Sequence, residues 1–456
     1  ILLRARIFSN AVIFFIIFYF FSPGRRVGLG GGGALGIIAE IVSRGKVENM
    51  DYSVPCIYGR INKREAVVEV PGSKSITARA LFAAALSSGT SVLRGAGLSD
   101  DCLTFINCLK SLGIDVAISG RDVTVCGCGG RLKTDGGEVY VGSAGTAARF
   151  ITALLAFTDG TFRLTCSQQM KSRPVGRLLS ALASAGARFE FEEREGSFPF
   201  VVHGTSHPQN NLCVDISGSS QFLSALMLAS VCAEGGLKIS VEGTHGMDYV
   251  KMTADIMRSF GAYAVEEDGV WHAGGSYSAR EYIVEPDVSA ACYFSAANRV
   301  LGTDISVKNL PERSMQGDMQ FIRLMQSGFD GGSVDMSSFS DQALTLAAIA
   351  PFFSRPTHIC GIGHIRGQEC DRIAAIVSAV RALSGKCEEE ADAVTIFPSA
   401  LRPARINTFG DHRVAMSFAV TGLRSEGVVI ENAQVCSKTF ADFFEVLDRL
   451  VKELTI

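Results

Sequence analysis

The sequence has almost no net charge and no tract of basic residues. It contains 43 Lys and Arg against 46 Asp and Glu, which gives a formal net charge of −3 at pH 7. Proteins that bind nucleic acid concentrate Lys and Arg on one face or in one segment. We therefore expect no nucleic-acid partner, and any anionic ligand must be held by local cations.

Cysteines with the paired spacing of a zinc site are also missing. Thirteen cysteines are scattered along the chain, and Cys126-Gly-Cys128 is too closely spaced for the usual zinc pair. An odd number of scattered cysteines in a large chain favours reduced thiols. We predict a cytoplasmic protein without a metal site.

Long apolar segments are scarce. Residues 11–21 read AVIFFIIFYFF, a run that is too short to span a bilayer comfortably. With Arg4 and Arg6 before it, the run imitates a signal peptide, but no convincing small-residue cleavage site follows. We predict that residues 1–55 form an N-terminal extension outside the working fold, and we expect no membrane association. A secretory or membrane-anchored form is the alternative.

A repeated pattern of helix followed by strand organises the rest of the chain. Amphipathic segments end in a small residue and a glycine and lead into a strand-like segment, at Gly113, Gly186, Gly261, Gly328 and Gly385. A glycine directly after a helix supplies the left-handed turn that ends it. Related α/β units in a chain of 456 residues predict internal duplication and two globular lobes.

Short polar stretches beside glycine are the candidate functional segments. The first is PGSKSITARAL (71–81), in which Lys74 stands at the start of an alanine-rich helix. Similar stretches are GSAGTAAR (142–149), KSRPVGRL (171–178), SGSSQFLSALM (217–227), FSDQALTLA (339–347), RGQECDRI (366–373), GDHRVAM (410–416) and SKTF (437–440). Helix starts have unpaired N–H groups and partial positive charge, so a lysine there indicates an anion docked beside it.

Several cations share this position near a predicted helix start. They are Lys74, Arg79, Arg149, Arg173, Arg372, Arg413 and Lys438. Their convergence would form a positive cleft for phosphate and carboxylate groups. Asp341 and Glu369 lie among them and can transfer protons. Each stretch alone is equally consistent with an ordinary helix cap, and Asp341 is a candidate N-cap.

The ordered set of motifs resembles the 5-enolpyruvylshikimate-3-phosphate synthases, a family of enolpyruvyl transferases. The similarity runs from about residue 65 to the C-terminus and includes VEPDVSAACYF (284–294) and DYVKMTADIMRSFG (248–261). The resemblance implies an α/β fold of two lobes, each with three repeated βαβαββ-like units. One lobe would be residues 74–285, and the other would join residues 56–73 to residues 286–456.

The resemblance also implies a reaction. The enolpyruvyl group of phosphoenolpyruvate would move to the 5-hydroxyl of shikimate 3-phosphate through a tetrahedral intermediate, with release of phosphate, in the shikimate pathway of aromatic amino acid biosynthesis. No metal or organic cofactor is implied, and the two substrates are the only partners. We expect a monomer.

Site residues follow from the same resemblance. For shikimate 3-phosphate they are Lys74, Ser75, Arg79, Ser219, Ser220, Gln221, Tyr249 and Asp341. For phosphoenolpyruvate they are Lys74, Gly145, Arg173, Gln221, Arg372, Arg413 and Lys438. The implied catalytic residues are Asp341 as the base on the hydroxyl, Glu369 as the group that moves a proton to and from the methylene carbon, and Lys74.

The chain departs from the family pattern near these residues. Gln368 stands where Lys or His is usual, Gly246 where a serine is common, and His364 where an asparagine is common. Gln cannot donate a proton as a cation. Weaker catalysis, or a larger share of the work for Lys74 and Glu369, would follow.

Two alternatives stay open at this point. A sister enzyme transfers the enolpyruvyl group to UDP-N-acetylglucosamine, although GSSQF, GDHRVAM and SKTF resemble the shikimate branch more closely. A non-catalytic relative could keep the cleft to bind anions, and Gln368 favours it. Asp341 and Glu369 argue against that interpretation, because two acids would only weaken the binding of an anion.

Overall fold

The computed structural model describes residues 50–456, so the apolar run and most of the predicted extension lie outside the described residues. Helices and strands alternate through this part of the chain. Its α-helices are α1 (Lys74–Leu86), α2 (Asp100–Ser111), α3 (Gly145–Ala156), α4 (Gln168–Lys171), α5 (Gly176–Ser184), α6 (Gln221–Ala229), α7 (Met247–Ser259), α8 (Val288–Leu301), α9 (Met319–Gln326), α10 (Ala343–Ile349), α11 (Arg372–Ala382), α12 (His412–Arg424) and α13 (Phe443–Thr455).

The strands and short 3₁₀ helices complete the described elements. The strands are β1 (Tyr52–Ser53), β2 (Glu65–Val68), β3 (Ser88–Arg94), β4 (Asp115–Ser119), β5 (Asp122–Cys128), β6 (Gly136–Tyr140), β7 (Gly160–Thr165), β8 (Arg188–Phe191), β9 (Phe200–Gly204), β10 (Asn211–Asp215), β11 (Leu237–Glu242), β12 (Tyr263–Glu267), β13 (Val270–Gly274), β14 (Glu281–Ile283), β15 (Asp304–Val307), β16 (Gly332–Asp335), β17 (Thr357–Cys360), β18 (Lys386–Glu389), β19 (Val394–Phe397), β20 (Ala404–Ile406) and β21 (Val428–Ile430). The 3₁₀ helices are Ser230–Cys232, Ser340–Gln342, Ala350–Phe352, Gly363–Gly367 and Ala433–Lys438.

One sheet topology recurs along the chain. The orders β6-β7-β9-β8, β10-β11-β13-β12, β16-β17-β19-β18 and β14-β3-β5-β4 each begin with a parallel pair and continue with two antiparallel pairs. In the first three sheets a helix connects the parallel strands, as the crossover of a parallel pair requires. The order of elements is therefore the predicted βαβαββ repeat. Two smaller sheets, β1-β21-β20 and β15-β2, accompany these four in the described residues.

Buried apolar side chains form two separate clusters. The first core cluster lies within residues 76–284, and the second core cluster joins residues 54–70 to residues 288–454. The chain passes between them twice, where Gly72 and Pro286 form an isolated antiparallel bridge. The clusters support the two predicted lobes, whose boundaries stay a prediction.

The start of the fold differs from the prediction. β1 pairs with β21 in an antiparallel register, with Tyr52 opposite Ile430. Val54 is buried in the second core cluster. The predicted extension of residues 1–55 is therefore too long, because its last residues belong to the fold. A strand of two residues followed by Pro55 is too short to give a periodic signal in the sequence.

Four of the five predicted helix-ending glycines have positive φ, between +77° and +112°, namely Gly113, Gly186, Gly261 and Gly328. At the fifth site the left-handed residue is Ser384 and not Gly385. The helix α11 ends at Ala382, its C-cap is Leu383, and Ser384 is the residue after the cap. Gly385 is needed for a different reason. A Cβ there would lie 2.8 Å from Cγ1 of Val380 and 3.0 Å from its carbonyl oxygen.

Candidate active site

A cleft is lined by two parts of the chain, residues 74–249, which lie almost entirely within the span of the first core cluster, and residues 337–413, which lie within the span of the second. Its lining includes most of the predicted site residues: Lys74, Ser75, Arg79, Gly145, Arg173, Ser219, Ser220, Gln221, Tyr249, Asp341, Glu369, Arg372 and Arg413. Lys438 is not itself a lining residue, but its Nζ lies 3.5 Å from Oε1 of Glu369, which is. The structure therefore brings together all of the predicted site residues, while their individual roles stay predictions.

Lys74 stands at the mouth of α1, as the sequence predicts. The Ser73 hydroxyl caps the helix by accepting from the Ile76 N–H at 3.5 Å. The Lys74 ammonium lies 3.2 Å from Oδ2 of Asp101. Burial alone would lower the pKa of Lys74, but the carboxylates of Asp101, Glu369 and Asp341 together outweigh it and raise the pKa. The ammonium therefore stays charged at neutral pH.

Asp341 is not the helix cap that the sequence suggested. It lies in the 3₁₀ helix before α10, whose N-cap position is taken by the next residue. Its carboxylate accepts hydrogen bonds from Tyr249 Oη at 3.0 Å, Arg372 Nη1 at 3.0 Å and Arg413 Nη2 at 2.7 Å. Burial alone would raise the pKa of Asp341, but the two guanidinium groups have the larger combined effect and the pKa is lowered to about 2. The side chain is therefore an ionised acceptor in the cleft.

Arg372 connects the carboxylates on the side of the second core cluster. It is only 1% exposed, and its Nε donates to Oδ2 of Asp411 at 2.7 Å. Its Nη2 donates to Oε2 of Glu369 at 2.9 Å, and its Nη1 also donates to Oε1 of Gln368. Arginine suits this position because its five donors have a fixed planar geometry.

Glu369 is surrounded by cations. Besides Arg372 and Lys438, Nη1 of Arg173 lies 3.7 Å from its Oε1. Burial raises the pKa of Glu369, but these cations, Arg372 foremost, hold it well below the ordinary value. Glu369 is therefore ionised.

Two buried guanidinium groups form no ion pair within residues 50–456. Arg79 donates to the Thr253 hydroxyl at 2.7 Å and to the Tyr249 carbonyl at 3.3 Å. Arg149 donates to the carbonyls of Gly145 at 3.1 Å and Pro174 at 2.5 Å. Burial lowers the pKa of Arg79 to about 10, and burial with the neighbouring Arg173 lowers that of Arg149 to about 9. Such uncompensated positive charge favours an anionic ligand.

The residues that depart from the family pattern lie in the same region. Gly246 has φ +63°, and a Cβ there would lie 2.6 Å from the Ser220 hydroxyl oxygen. A serine at this position would therefore need Ser220 to move. His364 Nε2 lies 2.7 Å from Oγ of Ser340, and its ring contacts that of His245 with centroids 3.9 Å apart.

Sequence reasoning missed the carboxylates that hold the cations in place. Asp101 belongs to the acidic first turn of α2, where acids are common for reasons of helix stability alone. Asp411 was recognised only as part of a motif, yet it caps α12 by accepting from the Arg413 N–H at 2.8 Å and also pairs with Arg372. Partners this far apart in the chain leave no local signal in the sequence.

Metal and membrane features are not found in the described part. No group of three or more His, Cys, Asp or Glu in residues 50–456 is placed to hold a metal ion. None of the helices described there is both long and apolar enough to cross a bilayer.

Comparisons with known proteins agree on one family. The profile of EPSP synthase (3-phosphoshikimate 1-carboxyvinyltransferase) matches residues 59–447. A 3-phosphoshikimate 1-carboxyvinyltransferase of Trichormus variabilis is 40% identical over 404 residues, covering 83% of this chain and 95% of that protein. One from Vibrio atlanticus is 37% identical, covering 86% of this chain and 98% of that protein.

Solved structures give the same fold. An EPSP synthase from Acinetobacter baumannii superposes with a TM-score of 0.74 at 22% sequence identity, over 88% of this chain and 98% of that one. The fold class predicted from the sequence is confirmed. The prediction that the chain is a 3-phosphoshikimate 1-carboxyvinyltransferase is confirmed as well. The relatives favour the shikimate branch over both alternatives. This chain therefore belongs to the EPSP synthase family of 3-phosphoshikimate 1-carboxyvinyltransferases.

Proposed function

We propose that this chain transfers the enolpyruvyl group of phosphoenolpyruvate to the 5-hydroxyl of shikimate 3-phosphate and releases phosphate. The observation that carries the proposal is a cleft in which helix starts and cations from residues 74–249 and from residues 337–413 surround two ionised carboxylates. Each substrate carries a phosphate and a carboxylate, which such cations bind. The two carboxylates supply the proton transfers that addition and elimination require.

The substrates would occupy different parts of the cleft. Shikimate 3-phosphate would lie against α1, α6 and α7, in contact with Lys74, Ser75, Arg79, Ser219, Ser220, Gln221 and Tyr249, with Asp341 opposite. Phosphoenolpyruvate would lie between Lys74, Gly145, Arg173 and Gln221 on one side and Arg372, Arg413 and Lys438 on the other. In this arrangement the anionic shikimate 3-phosphate would contact Arg79, which has no carboxylate partner in the described chain.

Binding of the substrates would prepare the carboxylates for proton transfer. Arg372 and Arg413 now hold the Asp341 carboxylate. When a substrate phosphate or carboxylate takes over these guanidinium groups, the pKa of Asp341 rises and the side chain becomes a better base for the 5-hydroxyl. The same exchange at Arg173 and Arg372 would let Glu369 carry a proton to and from the methylene carbon.

Lys74 would be the third catalytic group. Its pKa is raised, because Asp101, Glu369 and Asp341 together outweigh the effect of burial, so it enters the reaction as an ammonium. Gln368 accepts a hydrogen bond from Arg372 and cannot supply a cationic proton. Lys74 and the arginines would therefore supply the positive charge beside the reacting carbon. They would stabilise the negative charge that develops in the transition state.

Closure of the two predicted lobes would exclude water from the intermediate. Contacts already join the two sides, including Tyr249 with Asp341 at 3.0 Å, Arg173 with Glu369 at 3.7 Å, and Gln169 Nε2 with the Glu369 carbonyl at 3.2 Å. Excluding water prevents it from competing with the 5-hydroxyl. We also propose a cytoplasmic monomer; the thirteen cysteines are all free, which supports a reducing compartment.

Phosphate release tests the reaction directly. The full chain is incubated with phosphoenolpyruvate and either shikimate 3-phosphate or UDP-N-acetylglucosamine, with assays lacking an acceptor as the control. We expect phosphate only with shikimate 3-phosphate, because only that acceptor matches the proposed contacts. Release with UDP-N-acetylglucosamine alone would assign the chain to the sister reaction. No release with either acceptor would reject the proposal.

Gly145→Ala should weaken the binding of phosphoenolpyruvate. A Cβ at this position would lie 2.8 Å from Nη1 of Arg173 and 3.0 Å from Nη1 of Arg149, so at least one guanidinium must shift. We expect KM for phosphoenolpyruvate to rise about tenfold, the equivalent of about 1.4 kcal/mol. The KM for shikimate 3-phosphate should change less than about threefold.

Steady-state kinetics with each substrate varied in turn measures this effect. Gly367→Ala is the matched control, because that glycine also lines the cleft and a Cβ there would meet nothing within 4 Å. An equal rise of both KM values in Gly145→Ala would mean that the glycine does not belong to the phosphoenolpyruvate subsite.

A further inference from the structure

Asp318 is a buried carboxylate that the proposed mechanism does not use. It stands directly before α9, is 4% exposed, and forms no ion pair with Lys, Arg or His in the described chain. A buried carboxylate without such a partner is costly for the fold. The hydrogen bonds that hold this carboxylate are therefore the observations from which its role is inferred.

These contacts lead to the turn that carries Asp341. Nε2 of Gln342, the residue after Asp341, donates to Oδ2 of Asp318 at 2.8 Å. The Ser289 hydroxyl at the start of α8 donates to the same oxygen. Oε1 of Gln342 in turn accepts from the Thr345 hydroxyl at 3.0 Å. Because the Gln342 side chain is fully buried, these bonds leave it little freedom to rotate.

Asp318 also affects the cleft through its charge. It lines a smaller cavity beside the cleft, with Lys74 of α1, Tyr249 of α7, Asp287 and Tyr293 of α8, and Arg413 of α12. Burial raises the pKa of Asp318 to about 6, with a further contribution from the charge of Asp341 and an opposing one from Arg413. Asp318 is therefore mostly ionised at neutral pH. Its negative charge makes ionisation of Asp341 less favourable and so makes Asp341 more basic.

We propose that Asp318 is a positioning residue for Asp341, which fixes the turn through Gln342 and strengthens the base through its charge. The inference rests on the proposed role of Asp341 as the base. It adds a residue that touches neither substrate to the set that determines the rate.

Asp318→Asn tests this inference. Asn has the same shape and keeps an oxygen that can accept from Gln342, but it removes the charge. We expect kcat to fall about tenfold, as for a base weakened by roughly one to two pKa units, with KM for both substrates within about threefold of wild type. The acid limb of the kcat–pH profile should move to lower pH, because Asp341 loses a proton more readily without a negative neighbour.

Ser289→Ala is the control, because it removes the other hydrogen bond to Asp318 and leaves the charge. It should keep the position of the acid limb. If Asp318→Asn leaves kcat and the pH profile unchanged, or lowers only the melting temperature, the inference is wrong. If that variant does not fold, Gln342→Leu breaks the same contact from the other side; wild-type kcat in Gln342→Leu would overturn the inference.

Asp341→Asn, assayed in parallel, separates this inference from the proposed function. If Asp341→Asn is inactive while Asp318→Asn behaves as wild type, only the positioning role fails. If Asp341→Asn keeps wild-type turnover, the assignment of the base fails and the inference about Asp318 fails with it.

Discussion

Glu369→Gln is expected to lower kcat by about 10²- to 10⁴-fold, the usual contribution of a general acid–base group. Gln keeps the shape of the side chain but cannot carry a proton between solvent and the methylene carbon. The variant also removes a negative charge from among Arg173, Arg372 and Lys438. The KM for phosphoenolpyruvate should therefore stay the same or fall, since these cations become more available to the substrate.

Two measurements check this prediction. Steady-state kinetics gives kcat and KM separately, and turnover in D₂O reports whether deuterium enters the methylene group, which it should do in wild type and far more slowly in Glu369→Gln. Glu389→Gln is the matched control, because Glu389 also pairs with an arginine but lies at the surface. Wild-type deuterium incorporation in Glu369→Gln would assign the carbon proton transfer to another group.

Arg372→Ala should have the largest effect on stability, lowering the free energy of unfolding by about 3–5 kcal/mol. The side chain is 1% exposed and pairs with Asp341, Glu369 and Asp411 at 3.0, 2.9 and 2.7 Å. Removing it takes away the guanidinium that these three carboxylates share, and the fully buried Asp411 loses its arginine partner. Urea unfolding, followed by circular dichroism, measures the change.

Arg163→Ala provides the control for Arg372. Arg163 contacts two carboxylates, those of Glu138 and Glu192, at 2.6 to 2.8 Å, but its side chain is 44% exposed. Water can solvate the carboxylates that it leaves behind, so we expect a loss below about 1 kcal/mol. Equal losses in the two variants would mean that burial does not set the strength of the Arg372 network. The loss of unfolding free energy in Arg372→Lys should lie between those of Arg372→Ala and Arg163→Ala. An ammonium keeps the positive charge but cannot bridge three carboxylates with the same geometry.

The positions of the cations could be predicted because they are local to their helices. Lys74 follows a Pro-Gly break and a serine cap, and Arg413 follows Asp411, which caps α12. Such patterns span fewer than ten residues and appear directly in the sequence. The meeting of these helix starts in one cleft needed either the family resemblance or the structure, because it depends on contacts far apart in the chain.

The roles of the acids were harder to predict from the residues alone. A single aspartate before an apolar helix has the same appearance in the sequence whether it caps the helix or faces a ligand. The residues alone therefore left Asp341 a candidate cap, and only the family resemblance implied that it is the base. The contacts that distinguish the two come from Tyr249, Arg372 and Arg413 on three other elements. Asp318 gave no signal at all, since its partners Ser289 and Gln342 lie at least 24 residues away.

The second core cluster also has a consequence for synthesis on the ribosome. β2 pairs in parallel with β15, with Ala66 opposite Ile305. All residues of the first core cluster lie between these two strands in the chain, so that cluster can fold while β2 still lacks its partner. At about 5–20 residues per second, β2 waits roughly 10–50 s for β15 to emerge. Throughout that time β2 has an unpaired strand edge, which can pair with other chains and favours aggregation of the nascent protein.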